Sequence, residues 1–68
     1  MSVRIVVNGE PMTIAPGQTI TELLQSLKID PARVAVELDR RIVKQSQWSA
    51  TTVAGGAEVE IVQFVGGG

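Results

Sequence analysis

Residues 19–28 read Thr19-Ile20-Thr21-Glu22-Leu23-Leu24-Gln25-Ser26-Leu27-Lys28, and this stretch decides the fold. Thr19 and Glu22 stand three apart and fit a reciprocal capping box. The threonine hydroxyl can accept from the Glu22 N–H while the Glu22 carboxylate reaches back to the Thr19 N–H. Ile20, Leu23, Leu24 and Leu27 follow at i, i+3, i+4 and i+7, which places four apolar side chains on one stripe of a helix. Lys28 puts a cation where the helix macrodipole favours one, and Asp30-Pro31 is expected to end the helix. The remaining apolar segments have strand character, so one amphipathic helix must cover one face of a sheet.

Working outward toward the N-terminus, Val3-Arg4-Ile5-Val6-Val7 is rich in β-branched residues and runs into Asn8-Gly9, a strong hairpin signal. Glu10 to Ala15 is the return strand, with Met12 and Ile14 on one face. Pro11 confines that strand to a sheet edge, because proline offers no N–H to a central ladder. Pro16-Gly17 separates the hairpin from the helix.

Toward the C-terminus, Val34, Val36 and Leu38 alternate with Ala35 and Glu37 as a third strand. A turn at Asp39-Arg40-Arg41 leads to a minor strand at Ile42-Val43. Residues 44–57 read as a loop with a 3₁₀ turn, pinned by Trp48 acting as a core plug. Glu58 to Val65 forms the last strand. This order of hairpin, helix, strand, short strand and strand predicts an α+β fold of the β-grasp (ubiquitin-like) roll. Its mixed sheet of four to five strands would pack on one main helix, with the first and last strands central and parallel. Residues 1–65 are expected to form this domain, and residues 66–68 a flexible glycine tail.

The 68 residues allow one domain. A chain of this size buries only about 60% of the surface its unfolded state exposes, so the core must be economical. With a net charge of −1, neither nucleic acid nor an anionic membrane is expected as a partner. No apolar run approaches the roughly 20 residues of a membrane-spanning helix, and no secretory leader is visible. A soluble, cytoplasmic protein is expected. Cysteine and histidine both number 0. Disulfides, thiolate nucleophiles, histidine acid–base catalysis and the usual zinc ligand sets are thereby excluded. The glutamates show no spacing that suggests a metal site, and no metal is expected.

The chain runs out through Val65-Gly66-Gly67-Gly68. Consecutive glycines reach backbone conformations closed to other residues, and no side chain shields the last carboxylate. Such a tail can thread a narrow slot and present that carboxylate to another protein's active site.

Taken in order, Asn8-Gly9-Glu10, Thr19 with Leu23-Leu24, Val34-Ala35-Val36-Glu37, Ile42-Val43 with Trp48, Gly56 with Val59-Glu60-Ile61-Val62, and the glycine terminus resemble the ThiS family. These are the small sulfur carriers of thiamin biosynthesis, and the likeness runs over essentially the whole chain. Three departures fall in turns. Asp39 stands where Asn is common, Lys44-Gln45 where Pro followed by a basic residue is frequent, and Ala57 where Asp is usual.

The resemblance implies that Gly68, preceded by Gly67, is adenylated by an ATP-dependent, ubiquitin-activating-type (ThiF-like) enzyme and then converted to a thiocarboxylate. That species would donate sulfur to a ThiG-like thiazole synthase. The chain would be a cosubstrate rather than a catalyst. It would bind no cofactor, ATP and Mg²⁺ belonging to the activating partner. A carrier that holds sulfur on its terminus needs no cysteine of its own.

The strand period adds a docking surface to this reading. With Val59 and Ile61 toward the helix, Val62 and Phe64 point from the open sheet face near the tail, and Val6 and Ala35 share that face. Val62, Phe64, Val6, Ala35 and Gly66 are therefore the candidate partner-binding residues, with Phe64 as anchor. Arg40, Arg41 and Lys44 read as a solvated turn. Two alternatives remain open: a molybdopterin-synthase small subunit or other thiocarboxylate carrier, and a non-reactive β-grasp interaction module of the TGS type.

Overall fold

The computed structural model describes residues 1–64. Among the described residues five strands form one mixed sheet: β1 (Val3–Val7), β2 (Glu10–Ile14), β3 (Val34–Leu38), β4 (Arg41–Val43) and β5 (Glu58–Gln63). Their spatial order is β2-β1-β5-β3-β4. An α-helix, α1 (Ile20–Ser26), covers one face. This is the β-grasp arrangement expected of the sequence. Strand β5 is the centre of the sheet, parallel to β1 and antiparallel to β3.

The first hairpin forms as its sequence requires. Val7 pairs with Glu10 across the turn, and Asn8 and Gly9 take φ of 51° and 81°, the conformation whose twist matches the flanking strands. Strand β2 lies at the sheet edge, where Pro11 interrupts no second ladder. It stops at Ile14, one residue before the expected Ala15.

Helix α1 starts on the expected capping box. The Glu22 N–H donates to Thr19 Oγ1 at 3.2 Å, and the Thr19 N–H donates to Glu22 Oε1 at 2.9 Å. Ile20, Leu23 and Leu24 are buried and Leu27 packs against them. The helix end differs from expectation, because Asp30-Pro31 does not terminate it. Lys28 takes φ of 59°; its N–H donates to Gln25 O at 3.1 Å, and the Ile29 N–H donates to Leu24 O at 3.0 Å. This pair of bonds is a Schellman motif with lysine at the position glycine favours. Asp30-Pro31 opens a 3₁₀ turn instead, the Asp30 carboxylate accepting from the Ala32 N–H at 2.9 Å.

The second hairpin also differs in detail. Leu38 pairs with Arg41, so its loop is the two residues Asp39-Arg40, and Arg41 belongs to β4. Both loop residues have positive φ, 51° and 70°, without a glycine. After β4 a 3₁₀ segment, Gln45–Ala50, buries Trp48, whose indole N–H donates to Val43 O at 2.8 Å. The core is a continuous cluster of Ile5, Ile20, Leu23, Leu24, Val36, Val53 and Val59 with their neighbours. No helix is long and apolar enough to cross a membrane among the described residues.

Candidate docking face and carrier terminus

Strand β5 positions everything that matters for the site. It lies at the middle of the sheet, and its last residues lead to the tail. Val59 is buried and Ile61 half-buried against the helix side, while Glu58, Glu60 and Val62 are exposed on the other side. The strand period alone dictates this division.

Antiparallel partners share a face, so the register extends it across the sheet. Ala35 lies opposite Val62, Glu37 opposite Glu60, and Ile42 opposite Glu37. On the parallel side Val6 is aligned with Glu58. Val62 and Phe64 retain 53% and 56% of their surface and Ile42 retains 77%, values far above those of a core residue. Val6 and Ala35 are half-buried. Four of the residues singled out in the sequence are thus described. Val62 and Ala35 pair side by side, Phe64 continues from β5 with its N–H donating to Arg33 O at 2.8 Å, and Val6 lies farther along the same face. Gly66, Gly67 and Gly68 lie outside the described residues, as does Val65.

Sequence reasoning missed two anchoring side chains. Asn8 does more than turn the chain. Its Oδ1 accepts from the Ile61 N–H at 2.7 Å and its Nδ2 donates to Ile61 O at 3.2 Å. The amide therefore acts as one more residue of strand β1 and holds β5 just before the exposed Val62 and Phe64. Asp39 performs a similar service at the other end of β5. Its Oδ1 accepts from the Glu58 N–H at 2.9 Å, and its own N–H donates to Glu58 O at 2.8 Å. Both hold positive φ, and that both are Asx residues is the signal the sequence offered for either.

The other departures fit their surroundings. Lys44 holds φ of −64° and ψ of 144°, the backbone that a proline would impose. Ala57 is buried, and its carbonyl accepts from the Val6 N–H at 2.9 Å. Arg40 lies in the expected turn, with an exposed ion pair to Glu58 at 3.9 Å. Among the described residues, no group of three or more Asp or Glu is placed to hold a metal ion. This face presents exposed apolar side chains at Val62 and Phe64 and carboxylates at Glu60 and Glu58 behind them.

Comparison with known proteins gives this geometry a family. The chain matches the ThiS family over residues 5–68. It belongs to that family. It is 34% identical over 65 residues to the sulfur carrier protein ThiS of Escherichia coli, covering 96% of this chain and 98% of the relative. It is 38% identical over 65 residues to a thiazole synthase of Paramagnetospirillum magneticum. This chain spans only 20% of that protein's length, and likewise 20% of a thiazole synthase from Magnetococcus marinus to which it is 35% identical. Among solved structures, a thiamine biosynthesis protein (ThiS) from Geobacter metallireducens superposes with a TM-score of 0.86 at 39% identity. That match covers 97% of this chain and 100% of the solved one. The ThiS fold and the present one are therefore the same.

Proposed function

We propose that this chain is a sulfur carrier in which Gly68 supplies the reacting carboxylate and the thiamin thiazole ring is the destination of the sulfur. The observation that carries the reading is the alignment with the E. coli sulfur carrier over nearly the full length of both chains. The two thiazole synthases that contain a similar segment support the thiazole as acceptor and a ThiG-like synthase as one partner.

The chemistry follows from what a carboxylate lacks. It is ionised near neutral pH, its charge repels nucleophiles, and oxide is a poor leaving group. Activation therefore comes first. A Gly68 carboxylate oxygen attacks the α-phosphorus of ATP, pyrophosphate leaves, and an acyl-adenylate forms. Hydrosulfide then attacks the acyl carbon and gives up its proton, and AMP departs with one of the original carboxylate oxygens. The resulting thiocarboxylate is nucleophilic at sulfur. A ThiF-like adenylating enzyme supplies the ATP site and Mg²⁺, so the chain is a cosubstrate. Gly66 and Gly67 let the terminus enter that enzyme's slot without a Cβ. Val62, Phe64, Val6 and Ala35 form the docking face beside it.

ATP–pyrophosphate exchange with a cognate adenylating enzyme tests this. Exchange is expected with the wild-type chain and a loss of at least tenfold with Gly68→Ala, roughly the cost of a misplaced reacting group. Equal exchange by that variant contradicts the steric role given to the terminal glycine.

A further inference from the structure

The open sheet face carries an arrangement that its own stability opposes. Glu37 on β3 and Glu60 on β5 are direct cross-strand partners, so their side chains leave the same face from Cβ atoms about 5 Å apart. Like charges in that position destabilise a sheet. Among the described residues neither carboxylate has an ion-pair partner. The exposed pairs are Arg33–Asp30 and Arg40–Glu58. Arg4 shares the face on β1 but sits beside Gly56, whose N–H donates to its carbonyl. That is four residues along the sheet from Glu60, or about 13 Å. No third acidic group joins the pair to make a metal site among the described residues.

The surroundings of the pair are apolar toward Ile42 and Val62, while behind it Glu58 lies two residues back on the same face of β5, exposed and ion-paired to Arg40 at 3.9 Å. Ile42 flanks Glu37 on the β4 side, and Val62 with Ala35 lies one step along β5 toward Phe64. A partner surface complementary to this layout carries apolar groups opposite Ile42 and Val62 and a cation opposite the two carboxylates. A guanidinium suits two neighbouring carboxylates better than an ammonium, because its planar fork can donate to both at once.

We propose that an arginine of the adenylating enzyme, flanked by apolar side chains, inserts between Glu37 and Glu60 when the carrier docks. The inference rests on the proposed function for the identity of the partner. The uncompensated pair is then retained for recognition at the expense of the free carrier's stability. Removing one charge should move stability and affinity in opposite directions.

The test compares Glu37→Gln and Glu60→Gln with the wild type by calorimetric titration against the adenylating enzyme and by thermal unfolding. Wild-type ATP–pyrophosphate exchange is measured in the same preparation. Each substitution is expected to weaken binding about tenfold or more and to flatten its dependence on salt. Each should also raise the unfolding midpoint by about 1–6 °C. Glu10→Gln, on the edge strand β2 and opposite Val7 of the helix-side face, is expected to leave the affinity unchanged. Wild-type exchange combined with unaltered affinity of both variants overturns the arginine contact and leaves the carrier function standing. Lowered unfolding midpoints overturn the like-charge reading. An absence of wild-type exchange overturns the function and, with it, the inference.

Discussion

At the scale of single residues, Asn8 links the turn to the site. It holds a positive φ that suits asparagine, and its amide closes two hydrogen bonds on Ile61. Asn8→Ala removes both bonds and puts a Cβ residue with no local compensation into the left-handed region. A loss of about 1–3 kcal/mol is expected in denaturant unfolding. An unchanged midpoint contradicts the role of Asn8 as the tether of β5. Its pairing with Gly9 was legible in the sequence because an Asn-Gly dipeptide announces its turn. Its bond to a strand 53 residues away was not, since nothing local encodes which carbonyl an amide will meet. The same holds for Asp39, whose departure from the family's usual Asn keeps an acceptor for the Glu58 N–H.

At the scale of elements, patterns that depend on periodicity were readable and those that depend on backbone strain were not. The apolar stripe of α1, the hairpin of β1 and β2, and the edge position of β2 all follow from side-chain spacing and from Pro11. The end of α1 is not legible in the sequence because Pro31 is the conspicuous breaker, whereas the helix stops earlier on a lysine in a left-handed conformation. Lysine at that position pays a steric penalty that glycine does not. Lys28→Gly is therefore expected to stabilise the fold by about 0.5–1 kcal/mol, read from urea unfolding. A destabilised variant contradicts the Schellman geometry as the element that ends α1. The Asp39-Arg40 loop escaped a two-residue reading for the same reason: both positions have positive φ without a glycine to signal it.

At the scale of the molecule, the β-grasp topology puts β5 in the centre of the sheet and sends its end out beside an exposed apolar group. The core is formed on the helix side, so the opposite side is free to carry Val62, Phe64 and Ile42 in solvent. Residues with that much exposed apolar surface contribute little to folding, and under the proposed function they are what the carrier offers to its partner. Phe64→Ala is expected to leave the unfolding midpoint within about 0.5 kcal/mol of the wild type. The same change should weaken affinity for the adenylating enzyme by roughly tenfold or more. Unchanged affinity removes Phe64 from the docking face. The open side was legible from strand alternation, but the Glu37–Glu60 pairing required the register of β3 on β5, which no local pattern contains. The account's central claim is that Gly68 carries sulfur. Intact mass spectrometry after incubation with ATP, a sulfur source and the adenylating enzyme tests it most directly. The account predicts replacement of one oxygen by sulfur at the C-terminal residue, absent when Gly68 is deleted. An unmodified mass, from an enzyme that is active on another carrier, contradicts it.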